Sequence, residues 1–518
     1  MRNRFSSLAP VFANVGTLLM VFAALILMPI FVLIFTTGGM IEEVSPLVYL
    51  VPAAVAFAAG SILHMIFKSG ALEPAQSMLV CALGWLGASA VGALPYRLAE
   101  LPQAVAEVRS AIVGGDGSSI SYLDAYFEAM AGFTTTGITM LAGLEHFPPS
   151  LLFWRSLTQW LGGLGILSFF ILVLFSARSA HALYGAESHK VFTRRPRPGI
   201  FNTVKILWTI YTCITVAIVV GLLLCGVRVL DSLNLAFTTV STGGFTPFDE
   251  SVRYFAARPA DFPHYRAIEY LLIAGMFAGA ISFITHYRLI RGSVKALWDT
   301  GEIRLFWTLA VVGTALVFTD VVMNAVGEGA GDIEEQFRTS LFQTAALLTN
   351  TGFATRSISA PGYFFAVSRQ VFLLFMFTGA CAGSTSGGLK IYRVHLMART
   401  LYNEIWRAVR PHRAVHMLLV DDSRVDMTEL QRCTAVFFGW LALIVAGGVV
   451  TAMLSPWGAM ESLSGMTSAV SNVGPCFIPP AGLMQLPETV KFTYILGMLA
   501  GRLEILPVLL LFNRKAWT

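Results

Sequence analysis

Four short polar turns, each set between apolar segments, carry the residue types that could bind a bare cation. They read Thr134-Thr135-Thr136-Gly137-Ile138, Val240-Ser241-Thr242-Gly243-Gly244, Thr349-Asn350-Thr351-Gly352-Phe353 and Ser471-Asn472-Val473-Gly474-Pro475. A monovalent cation moved from water into a low-dielectric medium loses on the order of 20 kcal/mol of solvation. Carbonyl oxygens can replace that hydration, but an ordinary helix spends them on internal hydrogen bonds. An extended turn frees them, and glycine permits the backbone angles that aim successive carbonyls one way. Four such turns meeting on one axis give rings of oxygens. The candidate ligand set is Thr135, Thr136 and Gly137; Ser241, Thr242 and Gly243; Asn350, Thr351 and Gly352; and Asn472, Val473 and Gly474. One such turn is a weak signal, because Gly and Thr are common where membrane helices touch. Four at similar intervals form an internal repeat, which is a strong one.

The elements that must hold these turns are membrane helices. The chain has 518 residues, 56% hydrophobic and 13% charged, where a soluble protein carries roughly 25% charged residues. Apolar runs of about twenty residues recur throughout, the mark of a polytopic membrane protein. The net charge of +5 reads as loop lysine and arginine of one membrane side. Without interleaved stacking aromatics it does not read as a nucleic-acid surface. The six cysteines show no CxxC spacing, so neither a zinc site nor a disulfide framework is expected. The nine histidines show no HExxH and no haem pairing. No enzyme or redox constellation stands out. The run at 12–36 is too long for a signal peptide and reads as a retained helix.

Ten spans are expected, near 12–36, 47–67, 76–96, 150–176, 204–227, 267–290, 305–326, 366–400, 433–454 and 490–512. Arg2, Arg4, Arg178, Lys190, Arg194, Arg195, Arg197, Arg288, Arg291, Lys295, Arg304, Arg393, Arg399, Arg407, Arg410, Arg413, Arg514 and Lys515 then fall on one side, which places both termini in the cytoplasm. Glu42, Glu43, Glu328, Asp332, Glu334 and Glu335 gather on the other side, where they would concentrate cations at an outer mouth.

After two N-terminal helices (1–72), the other eight form four pairs, each enclosing one turn. The expected units are 73–180, 181–295, 296–415 and 416–518. A short helix should precede each turn, beginning near Asp124, Asp231, Thr339 and Glu461, residues suited to a helix N-terminus. Nine residues before the chosen glycines stand Glu128, Asn234, Gln343 and Gly465. The fold class is therefore all-α: four pseudo-symmetric helix–pore loop–helix units around one pore, plus two extra helices.

Residues 379–389 are small and polar inside an apolar run. Gly379, Gly383, Gly387 and Gly388, with Ser384 and Thr385 between them, should break that helix. Irregular backbone at membrane depth survives only packed in protein or lining water. The segment is either a close helix contact or a movable block beneath the turns. A Walker phosphate loop is excluded, since GxxxxGK[ST] is not satisfied. Lys390 closes the segment and is expected to snorkel towards the cytoplasm. Arg502, inside the last helix, should face the bundle interior, either paired with Glu504 or facing the pore. Arg155 and Gln159 are further intramembrane polar residues, expected to make structural hydrogen bonds. His286 and Asp320 are expected near helix ends.

These features resemble the Trk/Ktr/HKT superfamily of potassium transporters, and within it the bacterial TrkH type. Besides the turns, the matching stretches are Arg155-Ser156-Leu157-Thr158-Gln159-Trp160-Leu161-Gly162-Gly163-Leu164-Gly165, the segment from Gly379 to Lys390, and Gly501-Arg502-Leu503-Glu504. The two extra N-terminal helices fit the same type. The resemblance implies a potassium filter at the four turns, a gating loop at 379–389 and an arginine, Arg502, facing the pore below the filter. It implies a homodimer with one pore per subunit, embedded in membrane lipid of a bacterial inner membrane. Sodium-preferring relatives carry serine at the first filter position; this chain has Gly137. No nucleotide-binding GxGxxG unit is visible, so control is expected from a cytosolic regulator of the TrkA type that binds NAD or ATP. The basic loops 178–203 and 391–416 are candidate docking surfaces. No cofactor is expected, and potassium is the substrate. The alternative is a proton- or sodium-coupled symporter, which would need titratable groups along the pathway.

Overall fold

The computed structural model describes residues 2–36, 44–68, 70, 72–165, 168, 200–324, 332–409, 419–421 and 423–517. Glu42, Glu43, Glu328, Arg410, Arg413 and most of the 178–203 loop lie outside them. Among the described residues the chain is almost wholly helical. Its strands form one small hairpin, Leu419–Val420 against Ser423–Arg424.

Among the described residues six helices are long and apolar enough to cross a membrane: Leu8–Phe35, Leu47–Ile66, Pro74–Leu98, Phe201–Leu224, Gly301–Asn324 and Met427–Leu454. The first two cross at a pair of glycines. A Cβ on Gly16 would lie 2.6 Å from the Gly60 oxygen, and one on Gly60 2.5 Å from the Gly16 oxygen. This is the small-residue contact that lets membrane helices approach closely. The other four spanning helices each open one unit.

The helices that close the units differ from expectation. They are Pro149–Gly163, Tyr265–Ala280, Ala366–Phe377 and Glu488–Arg502, only 12 to 16 residues long. Three of them are interrupted within the described residues. The second bends by 103° into Phe283–Ile290. The third gives way to a loop before Ile391–Ala408 begins. The fourth stops at Leu503, where Glu504 and Ile505 take φ of 55° and 70°. The first ends before Gly165, at φ 87°. The sequence suggests an interruption only in the third, at its glycines. The second and fourth break at ordinary residues, where packing overrides helix propensity, whereas the first ends among Gly162, Gly163 and Gly165.

Between each pair of spans a short helix runs towards the centre of the bundle: Tyr122–Phe133, Val229–Val240, Ile333–Leu348 and Ala459–Ser471. Each carries an acid in its first turn, which favours the positive end of the helix dipole. Ser121 and Asp332 cap two of them by accepting main-chain N–H bonds from Asp124 and Glu335. The third starts at Ile333 and not near Thr339, with Asp332 as its cap.

Candidate functional site

The four short helices stop in the same way. The N–H groups of Thr136, Gly243, Thr351 and Val473 reach back five residues, to the carbonyls of Ala131 (2.8 Å), Thr238 (2.8 Å), Ala346 (2.8 Å) and Ser468 (3.0 Å). This bond requires a left-handed residue just before the donor. Those residues are Thr135, Thr242, Asn350 and Asn472, with φ of 54°, 51°, 56° and 54°. Asparagine tolerates that conformation; a β-branched threonine does so only under strain, which proteins store at functional sites. Two residues on, Gly137, Gly244, Gly352 and Gly474 again have positive φ: 80°, 80°, 82° and 103°.

The register of the second turn is therefore one residue later than the sequence reading. Gly244, and not Gly243, corresponds to the other three glycines. The second triplet is Thr242, Gly243 and Gly244; Ser241 caps the helix end, as Thr134 and Thr349 do in theirs. The same shift puts Leu235, not Asn234, opposite Glu128 and Gln343.

The turns form a closed ring. A Cβ built on Gly137 would lie 2.3 Å from the Gly243 oxygen, and one on Gly244 2.0 Å from the Thr351 oxygen. One on Gly352 would lie 2.0 Å from the Val473 oxygen, and one on Gly474 2.8 Å from the Thr136 oxygen. Each glycine thus makes room for the carbonyl that precedes the next glycine, from the first unit round to the fourth and back. All four line a single open cavity of about 500 Å³. Gly243 does not line it.

Behind the ring, the first unit braces the second. Gln159 Nε2 donates to the Gly243 oxygen (2.6 Å), and Gln159 Oε1 accepts the Phe245 N–H (3.1 Å). Arg155 Nη1 donates to the Thr246 oxygen (2.8 Å), with its guanidinium 3.5 Å from the Phe245 ring centroid. Glu128 accepts from Arg155 Nε (2.6 Å) and from the Met140 N–H (2.7 Å), and both charged groups are buried. The expectation of structural hydrogen bonding at Arg155 and Gln159 fits these contacts.

Opposite the cavity, the 378–390 segment lies directly under the ring. Its stem is closed by the Gly379 N–H on the Leu389 oxygen (2.7 Å). Thr385 Oγ1 lies 3.2 Å from Thr242 Oγ1 and donates to the Val240 or Gly279 oxygen, each at 3.0 Å. A Cβ on Gly387 would meet Asn472 at 2.7 Å, and one on Gly388 would meet Asn350 Nδ2 at 2.7 Å. Arg502 completes the underside. Its Nη1 donates to Thr135 Oγ1 (3.3 Å) and the Thr385 oxygen (2.8 Å), and its Nη2 to the oxygens of Gly162 (2.5 Å) and Gly163 (2.7 Å). The segment and the arginine thus touch the left-handed residue of every turn.

A family model described as "TrkH: Cation transport protein" matches residues 103–517. The chain belongs to the TrkH family of cation transport proteins. It is similar to the Trk system potassium uptake protein TrkH of Escherichia coli, 30% identical over 475 residues, covering 89% of this chain and 90% of that one. The Halomonas elongata protein of the same name is 27% identical over 519 residues, covering 99% of both. The crystal structure of the potassium transporter TrkH from Vibrio parahaemolyticus matches with a TM-score of 0.79 at 25% identity, over 100% of both chains. The TrkH family is one of transporters and not of enzymes. Its members are helical, multi-pass membrane proteins, and this chain shares their fold.

Within this TrkH-family fold one charged group, Lys390, differs from expectation. Lys390 does not snorkel: its ammonium turns back to cap the Ser386 oxygen, in the loop it closes. Glu504 pairs with Arg393, leaving Arg502 to bind the carbonyls above. Of the outer acids, Asp332 and Glu334 lie beside Arg266, Glu334 also pairs with Arg338, and Glu335 pairs with Arg356. His286 Nε2 bonds to the Ala278 oxygen (2.7 Å) across the second unit's bend, and Asp320 accepts the Ser368 N–H (2.9 Å). Sequence reasoning missed Lys491, which pairs with Asp124 at 2.6 Å. It also missed Glu302, which accepts the Ala382 N–H at 2.5 Å. Both contacts join distant parts of the chain and have no local pattern.

Proposed function

We propose that this chain takes up potassium across a bacterial inner membrane, with both termini in the cytoplasm. Ions would enter the 500 Å³ cavity and lose water to the carbonyls of the four turns. Segment 379–389 and Arg502 form the gate: resting under the ring, they occlude it and set a positive charge in the ion's path. The inward field drives entry, at about 2.3 kcal/mol per charge per 100 mV. The units follow the boundaries 73–180, 181–295, 296–415 and 416–518, behind the two helices of 1–72. The protein works as a homodimer under a cytosolic, nucleotide-binding regulator of the TrkA type.

The observation that carries this reading is the closed ring, in which glycines spare room for the neighbouring carbonyls. Neutral oxygens suit an ion that must bind and leave. The names of the relatives from Escherichia coli and Halomonas elongata support potassium as the substrate. The test is rubidium-86 uptake into liposomes holding the purified chain, with sodium as competitor. Potassium should suppress uptake far better than equimolar sodium. Equal suppression by the two ions would refute the potassium assignment.

A further inference from the structure

We infer that Glu302 is a positioning residue, through which the cytoplasmic connection between the third and fourth units holds the gating loop under the ring. This rests on the gate reading above and extends it to how the loop is controlled. Glu302 stands in the first turn of Gly301–Asn324, where a carboxylate is favoured by the helix dipole. Its Oε1 accepts the Ala382 N–H at 2.5 Å, a bond to the middle of the loop. Three main-chain to main-chain bonds tie the loop to the second unit's bend: Cys381 N–H to the Ala280 oxygen (3.2 Å), Thr385 N–H to the Gly279 oxygen (3.3 Å) and Phe283 N–H to the Gly383 oxygen (3.2 Å). Glu302 adds an anchor on the third unit's own opening helix.

One residue earlier, the Gly301 N–H donates to Asp421 Oδ1 at 2.6 Å. Asp421 occupies the turn of the 419–424 hairpin, at φ 48°. A Cβ on Gly301 would lie 2.5 Å from His395 Nε2 and 3.1 Å from Asp421 Oδ1. His395 belongs to Ile391–Ala408, the helix that leaves the loop. The hairpin, that helix and the loop are therefore packed against two consecutive residues, Gly301 and Glu302. A partner that displaced the hairpin or the helix would pull on the Glu302–Ala382 bond and release the loop.

The test is rubidium-86 flux through the purified full chain in liposomes, without a regulator. Glu302→Ala should raise basal flux about tenfold, the equilibrium shift expected from losing one such bond. Potassium over sodium preference should stay as in the parent. Glu302→Gln, whose amide oxygen still accepts the Ala382 N–H, should restore low flux. Asp421→Ala should act in the same direction but less, and the double variant should not exceed Glu302→Ala. Parental flux in a folded Glu302→Ala protein, altered ion preference, or additive effects would overturn the inference. Should Glu302→Ala fail to fold, Asp421→Ala decides alone: raised flux supports the inference and parental flux overturns it. Deleting 381–387 separates the two readings. If deletion leaves flux low, the gate itself is wrong; if it raises flux while Glu302 and Asp421 variants do not, only the tether is.

Discussion

Gly474 in the fourth turn lies against the main-chain oxygen of Thr136 in the first, and this contact turns a row of loops into a ring. The oxygen is 2.8 Å from where a Cβ would sit, against 2.0 to 2.3 Å at the other three seams. The chain-closing seam is thus the loosest. The covalent order of the units sets the other three, whereas this one depends on the fold having come full circle.

The shifted register of the second turn gives the first prediction. Gly244→Ser should reduce potassium over sodium preference as much as Gly137→Ser or Gly352→Ser. A left-handed residue with a Cβ costs roughly 1–2 kcal/mol, and 1.4 kcal/mol is about tenfold. The new side chain would also meet the Thr351 carbonyl, which is backbone and cannot swing aside. Bi-ionic reversal potentials in planar bilayers measure this directly. An unchanged permeability ratio in Gly244→Ser would remove that residue from the filter.

Arg502 makes the second prediction. Its guanidinium binds four oxygens from the first unit and the loop. Arg502→Ala removes both the charge and the tie, so basal rubidium-86 flux should rise about tenfold or more, the scale of one or two such bonds. Arg502→Lys should fall between, because an ammonium keeps the charge but not the planar fork that spans two partners. If both variants conduct like the parent, the arginine is a packing element and not part of the gate.

How much of this was legible in the sequence depends on the range of the forces involved. The turns could be read because each needs a positive φ at its glycine, which glycine supplies locally; the left-handed Thr135 and Thr242 before them carry no such signal. The doublet Gly243-Gly244 hid the register, since either glycine satisfies the composition; only the five-residue bond from Gly243 to Thr238 decides it. The spans could be read from apolar length. Their breaks could not, because Ala280-Ile281-Ser282 and Leu503-Glu504-Ile505 hold no glycine or proline. There the backbone yields to the loop and to neighbouring helices. Lys390 looked like a residue bound for water because it is a long cationic side chain closing the interrupted segment, yet the nearest acceptors were the carbonyls of its own loop.

Lys491 and Asp124 carry the third prediction. They pair at 2.6 Å between the closing helix of the fourth unit and the short helix of the first, and both are largely buried. The second and third units are joined by Glu269 and Arg338, also at 2.6 Å, with the charges reversed between closing and short helix. Removing one partner strands a buried charge, a loss of about 3–5 kcal/mol. Lys491→Met should therefore lower the thermal unfolding midpoint markedly, and adding Asp124→Asn should recover most of it. A single variant as stable as the parent would show that the pair does not hold the ring together.

The last prediction concerns pH at the cavity rim. Asp249 joins the loops of the first two units: its carboxylate accepts the N–H groups of Gly143 (2.7 Å) and Leu144 (3.1 Å), while its own N–H donates to Glu145 Oε1 (3.0 Å). Burial, and then the Asp249 charge, push the Glu145 carboxyl above the usual carboxylate range. The folded state therefore binds this proton more tightly than the unfolded chain does. The stabilisation from that proton is complete below the unfolded pKa and is lost as pH rises through the higher folded value. At neutral pH Glu145 is thus a destabilising charge, although its oxygen is needed to accept the Asp249 N–H. Glu145→Gln keeps an acceptor without the charge. It should unfold at a higher temperature than the parent at pH 7, and the difference should vanish as pH falls to about 4, where the parent carboxyl is protonated. Melting curves of both proteins across that range check it. A difference that persisted unchanged at acid pH would mean that the amide stabilises by its hydrogen bonds and not by removing the charge.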